Sequence, residues 1–159
     1  MGKSLITTYV MFLGIALGVE IAAGAFIAPV IFHPEYYLGQ GVLTHFQSGI
    51  LMTQVFLKTN ILLGIVASYS MVYELFTWIK NKDKRDIFSL TLALVALILT
   101  ALFIFYYTSF IVAAQTLGSS ETATPAFVKM HQESEWDIKI LMVVQITLLF
   151  RKMWKIKQR

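Results

Sequence analysis

Residues 129–151, KMHQESEWDIKILMVVQITLLFR, combine the length of a membrane span with a charged first half. A helix needs about 20 residues to cross the hydrocarbon core of a bilayer, and counting back that far from Arg151 reaches His131. A charge at the centre of such a helix costs about 2.5 to 3.5 kcal/mol on insertion scales, so charged residues there should face a protein interior or a wet cavity. The ionisable residues within this span are His131, Glu133, Glu135, Asp137 and Lys139.

The composition of the whole chain is that of an integral membrane protein. Of the 159 residues 57% are hydrophobic and 14% charged, and the mean hydropathy is +0.70. Soluble domains carry nearly twice that share of charged residues. Four apolar stretches, at 5–32, 46–78, 87–115 and 125–151, are each long enough to span a bilayer. We therefore expect an all-α, antiparallel bundle of four transmembrane helices that forms one domain over residues 1–159.

Basic residues indicate the orientation of this bundle. They are concentrated after the second span and in the C-terminal tail, whereas 33–45 and 116–128 contain no Lys or Arg. The positive-inside rule then predicts that both termini are cytoplasmic, in a bacterial inner membrane. Anionic lipid headgroups account for the net charge of +4, so nothing indicates a nucleic-acid partner. The basic residues that carry this prediction are Lys80, Lys82, Lys84, Arg85, Arg151, Lys152, Lys155, Lys157 and Arg159.

The first two spans contain intramembrane charges at matching depth. Glu20 lies 12 residues before Phe32, and Lys58 lies 12 residues after Phe46, which puts both roughly 18 Å below the outer helix ends. The sequence therefore predicts that Glu20 and Lys58 pair. Gln54 lies one turn from Lys58 on the same helix face. Small residues of the first span form a second face, suited to close helix packing or to a homo-oligomer: Gly14, Gly18, Ala22, Ala25 and Ala28.

All three histidines fall on the predicted outer side, next to carboxylates. His131, Glu135 and Lys139 are spaced by four residues and share one helix face, and His45 begins the helix expected to run alongside. Imidazole and carboxylate groups together suit a transition metal ion, so His45, His131 and Glu135 are candidate ligands. Two alternatives stay open. The residues could form ordinary ion pairs at helix ends, such as Glu135 with Lys139, or a substrate or proton site.

These residues together predict an outward-facing polar pocket that binds or passes a small ligand or metal ion. Its predicted lining is Glu20, Gln54, Lys58, His131, Glu135 and Lys139. The alternative is a non-catalytic subunit or assembly partner of a larger membrane complex. No catalytic residue is indicated, because the chain has no cysteine, no phosphate-binding loop and no nucleophile elbow.

Two short segments suggest a family. Ala28-Pro29-Val30-Ile31-Phe32 closes the first span, and Phe127, His131 and Ser134 open the last helix. This layout resembles a four-span bacterial family of unknown function that includes eukaryotic transmembrane protein 205, and it is distantly similar to CopD-like membrane proteins. Some CopD-like proteins bind haem through histidines within their spans. Spans one to three lack an internal histidine here, so a transition metal ion is the stronger expectation.

Overall fold

A computed structural model describes residues 3–80 and 86–157, and the regular structure of these residues is entirely helical. Four of the basic residues that contribute to the predicted orientation lie outside the described residues: Lys82, Lys84, Arg85 and Arg159. Two π-helical segments, π1 (Ala22–Ile27) and π2 (Leu102–Thr108), interrupt the first and third spans. The α-helices are α1 (Lys3–Ile21), α2 (Ala28–Phe32), α3 (Glu35–Leu38), α4 (His45–Lys80), α5 (Ile87–Ala101), α6 (Ser109–Leu117), α7 (Ser119–Thr122) and α8 (Pro125–Lys157).

Three continuous helical rods are long and apolar enough to cross a membrane. They cover Ser4–Phe32, His45–Lys80 and Ile87–Leu117, and we call them the first, second and third spans. Their bounds lie within two residues of the predicted stretches. The fourth long helix, α8, is not among these candidates, because its uncharged stretch covers only residues 140–150. The structure thus shows a helical, multi-pass membrane protein with three candidate spans.

The four long rods pack as a closed ring. The first span packs against α4, α4 against α5, α5 against α8, and α8 back against α1. The chain segments that join consecutive rods are short, and short connections favour antiparallel neighbours in a helix bundle. The core contains aromatic and aliphatic side chains at less than 3% exposure, among them Tyr9, Leu13, Leu63, Leu141 and Leu148. Large apolar side chains such as Phe26, Ile61 and Phe105 instead cover the outer surface, as a bilayer requires.

Local signals explain where the rods begin and end. The third span ends at Gly118, whose φ of 111° lies in the region that favours glycine. The Oγ1 of Thr124 accepts a hydrogen bond from the backbone N–H of Phe127 at 3.2 Å, so Thr124 caps α8 just before Pro125 at its first position. In the first span, π1 precedes Pro29, which has no N–H to donate into the preceding turn.

The bundle has two chemically different ends. We call the end that holds Lys80, Arg151, Lys152, Lys155 and Lys157 the basic end. The opposite end, which we call the distal end, holds Phe32, His45, Leu117 and Pro125. The short helices α3 and α7 connect the long rods at the distal end. Any site formed there is therefore separated from the basic end by the full length of the rods.

Candidate functional site: a cavity at the distal end

A cavity of about 380 Å³ lies between α4, α8 and the distal half of the third span. Its walls are mostly apolar, with five phenylalanines, Met52, Ile111 and Ile138 among the lining residues. Phe56 and Phe103 pack edge to face at 5.8 Å between ring centres and line the cavity together. The polar lining residues are His45, Thr53, Thr108, Gln115, Ser119, Thr122, His131, Ser134 and Glu135.

The cavity brings together the three residues that the sequence proposes as metal ligands. His45, His131 and Glu135 all line it, although they come from α4 and α8. The Nε2 of His131 lies 3.5 Å from an oxygen of Glu135, and both side chains are about half exposed, at 46% and 50%. His131 also stacks on Phe127, with ring centres 6.1 Å apart. These residues form a partly open polar patch on an otherwise apolar cavity.

Two hydrogen-bonded chains fix the polar wall of this cavity. The amide of Gln115 donates to Oγ1 of Thr53 at 2.9 Å, and that hydroxyl donates to the Gly49 carbonyl at 2.9 Å. Thr108 receives a bond of 3.1 Å from the amide of Asn60. Both chains join the second span to the third, so they hold the two helices that border the cavity in register.

The second chain also explains the position of π2. The hydroxyl of Thr108 donates to the carbonyl of Phe103, five residues earlier, at 2.7 Å. A π turn widens the helix, and such turns are frequent at functional sites. Thr108 and Phe103 both line the cavity. The irregular turn therefore helps to shape the cavity wall.

The remaining residues of the predicted pocket lie elsewhere. Gln54 and Lys58 are on the exposed face of α4, and neither lines the cavity. Lys139 is also exposed and donates to Glu135 at 3.1 Å, which confirms the expected i,i+4 ion pair. The face of α8 that carries Lys139 therefore lies at the rim. The inward face of α8 instead carries Ser134, Asp137, Leu141, Val144, Gln145, Leu148 and Lys152.

The predicted pairing of Glu20 with Lys58 does not form. Glu20 is buried, at 6% exposure, and its Oε1 accepts a hydrogen bond of 3.1 Å from the amide of Gln145 on α8. Chain counting sets the depth of the two charged residues but not their direction around the helix axis. Packing turns Glu20 toward α8 and leaves Lys58 on the outer surface of α4. The buried partner of Glu20 is thus an amide and not a cation.

A buried ionic cluster at the basic end was not anticipated from the sequence. The Nζ of Lys152 lies 2.6 and 2.8 Å from the two carboxylate oxygens of Glu74, with side-chain exposures of only 3% and 1%. Asp86 caps the third span, accepting from the backbone N–H of Ser89 at 3.1 Å, and it pairs with Arg151 at 2.9 Å and with Lys155. One signal was available, since Glu74 is an acidic residue inside a predicted span and needs a partner there.

The charge on Asp86 is stabilised by its surroundings. Burial opposes the ionised carboxyl, but hydrogen bonds from Lys155 and from Ser89 outweigh this effect and hold the pKa of Asp86 below its usual range. The carboxylate therefore stays charged at neutral pH. Arg151 and Lys155, which the sequence assigns to the basic C-terminal tail, are partly neutralised by Asp86.

The described residues do not fit a closed metal site. Within 3–80 and 86–157, no three His, Cys, Asp or Glu side chains cluster closely enough to hold an ion. His131 and Glu135 contact each other directly, and His45 packs its ring on Phe32 at 5.4 Å between centres. Metal ligation by these residues stays a prediction.

Comparison with known proteins gives a family but no activity. A family model described as a domain of unknown function, DUF4149, matches residues 11–120. The match runs through the three candidate spans and ends before α8. No curated protein and no solved structure matches the chain. The expectation of an uncharacterised family is confirmed, while the similarity to transmembrane protein 205 and to CopD-like proteins stays a prediction.

Proposed function

We propose that this chain, which belongs to the DUF4149 family of unknown function, binds a small amphipathic molecule in the distal cavity. The observation that carries the proposal is the cavity itself, with apolar walls and a polar patch formed by His45, His131 and Glu135. Its volume of about 380 Å³ falls within the range of roughly 300 to 1,000 Å³ of small-molecule sites. Such sites typically combine apolar walls with a few convergent polar groups.

The lining supports one orientation and one charge type for this molecule. Its apolar body would contact Phe56, Phe103 and Met52, and its head would reach the patch at His131 and Glu135. The carboxylate of Glu135 favours a cationic or hydrogen-bond-donating head and disfavours an anion. Lys139 donates to Oε2 of Glu135 and offsets part of its charge, while Oε1 on the His131 side is left to accept from a donor head.

A pair of photoreactive probes tests this proposal. In lipid nanodiscs, a phenyldiazirine with an aminomethyl head should label cavity peptides of α4 and α8 more strongly than its carboxylate counterpart. Gly49→Phe should reduce this labelling, because Gly49 lines the cavity and a phenyl ring there would take up part of its volume. Gly14→Phe is the matched control, since a Cβ at Gly14 meets no atom within 4 Å. Equal labelling of Gly49→Phe and wild type would contradict the proposal.

The assembly-partner function is the second candidate, and an exposed surface favours it. Gly14, Gly18 and Ala25 are exposed on the first span, with no described atom within 4 Å of a Cβ at either glycine. Small residues of this kind permit close approach of another transmembrane helix. Should neither probe label the cavity, assembly through this surface becomes the better hypothesis.

For the arrangement in the membrane, we propose four spans with both termini in the cytoplasm of a bacterial cell, in the inner membrane. The inward face of α8 supports the fourth span, because Asp137 and Lys152 are buried by neighbouring helices and not exposed to lipid. The concentration of Lys and Arg at the basic end supports the orientation.

A further inference from the structure

Glu20 is a buried carboxyl group far from either end of the first span. It lies 16 residues after Ser4 and 12 before Phe32, roughly 24 and 18 Å along the helix. Its Oε1 accepts the hydrogen bond from Gln145, whereas its Oε2 is buried with no hydrogen-bond partner. The amide oxygen of Gln145 is likewise buried and without a partner. Two acceptor oxygens thus lie unsatisfied on one side-chain pair.

No cation neutralises Glu20 among the residues that the structure describes. The titratable residues nearest its level on α1, α4 and α8 are Tyr9, Lys58, Tyr69, Asp137, Lys139, Arg151 and Lys152. Arg151 is paired with Asp86 at 2.9 Å. Lys58 is on the outer surface, Lys139 donates to Glu135, and Lys152 is engaged by Glu74. Asp137 and Lys152 are eight and seven residues from Gln145 on α8, roughly 12 and 10 Å away along the axis. The Tyr69 hydroxyl donates to the Leu5 carbonyl at 3.3 Å.

We propose that Glu20 is a proton-binding site, held as a neutral carboxylic acid by Gln145. A proton on Oε2 supplies the donor that the amide oxygen of Gln145 lacks. The acid and the amide then form two hydrogen bonds, one in each direction, and each of the two unsatisfied oxygens has a hydrogen-bond partner. An ionised Glu20 would instead be a buried charge with a single neutral donor, which is strongly unfavourable.

The surroundings of Glu20 fit a site that takes up and releases a proton. Ionisable residues that face the interior of a bundle are typical of proton relays. The π1 segment begins two residues after Glu20, and π turns are frequent at functional sites. The site lies outside the distal cavity, so it does not depend on the proposed ligand.

Infrared difference spectroscopy on wild type and Glu20→Gln tests the protonation state. At neutral pH the substitution should remove the carbonyl band of a neutral acid and leave the carboxylate bands unchanged. Loss of carboxylate absorption instead would overturn the proposal. The melting temperature of Glu20→Gln should also equal that of wild type, because a pair of amides replaces the pair of acid and amide. Glu74→Gln, the matched substitution in an ion pair, should melt at a clearly lower temperature.

Carbodiimide labelling in bilayers gives a second test inside one molecule. A neutral carboxyl transfers its proton to a nitrogen of N,N′-dicyclohexylcarbodiimide while its oxygen bonds the central carbon. Migration of the acyl group to nitrogen then leaves a stable N-acylurea that contains the whole reagent. Peptide mapping should find this adduct on Glu20 and not on Glu74, whose carboxylate is paired with Lys152. Equal modification of the two residues, or modification of Glu74 alone, would overturn the proposal.

Discussion

The pair of Glu74 and Lys152 is the residue-scale feature with the largest expected effect on stability. Both side chains are almost fully buried, so removing one partner leaves an uncompensated charge in the bundle. We expect Glu74→Gln or Lys152→Met to cost about 3 to 5 kcal/mol each. The double variant should recover much of this loss, because no buried charge is left. A double-mutant cycle of thermal unfolding in detergent measures the coupling, and additive losses would contradict it.

Residue spacing predicted some contacts of this protein and not others. The Glu135–Lys139 pair follows from local spacing, and it forms. The partner of Glu20 could not be predicted in this way, because it depends on the rotation of the first span against α8. Lys152 was assigned to the basic tail by its charge, although it lies one helical turn after Leu148 on the buried face of α8.

At the scale of elements, Asp86 is expected to act both as a helix cap and as an ion-pair partner. Asp86→Asn keeps an oxygen that accepts from the N–H of Ser89, but it loses the ion pairs with Arg151 and Lys155. Asp86→Ala loses the cap as well as the ion pairs. The cap should contribute about 0.5 to 2 kcal/mol. The two half-exposed pairs should add no more than about 1 kcal/mol each. The melting temperature should therefore be highest for wild type, lower for Asp86→Asn and lowest for Asp86→Ala. Equal melting temperatures of the two variants would exclude a capping role.

The pH dependence of the same residue has a definite sign. Its folded-state pKa is lowered, so its stabilising charge is present above the ordinary Asp pKa of about 3.9 and is lost as the pH falls below that value. The stability difference between wild type and Asp86→Asn should shrink in acid. A difference that stays constant down to strongly acidic pH would show that the ion pairs contribute nothing.

The long apolar elements were predictable and the irregular ones were not. Run length alone placed three spans within two residues of their observed ends. The segments π1 and π2 have ordinary apolar sequences, and in π2 the hydroxyl of Thr108 donates to the carbonyl of Phe103. Helix α8 combines a charged rim with a buried face that repeats every seven residues at Ser134, Leu141 and Leu148. That repeat is visible in the sequence, and it indicates packing where mean hydropathy does not.

At the scale of the whole molecule, the path of α8 decides between three and four spans. Its 33 residues extend roughly 50 Å, and it contacts the first span at Glu20, the second at Glu74 and the third at Asp86. Arg151 of α8 also donates to the hydroxyl of Ser89 inside the third span, at 3.2 Å. A helix that contacts all three spans in this way lies within the bundle and should cross the bilayer with them.

Single cysteines can test this path, because the chain has none of its own. We place them at Ser4, Ser119 and Lys157, all exposed. A membrane-impermeant maleimide should label Ser119→Cys in intact cells, and Ser4→Cys and Lys157→Cys only after permeabilisation. Labelling of both Lys157→Cys and Ser119→Cys in intact cells would mean that α8 does not cross the bilayer. The reverse pattern at all three sites would mean that the protein has the opposite orientation. Four crossings would place the distal cavity on the outer side and the Glu74–Lys152 pair near the cytoplasm, with Glu20 between them inside the membrane.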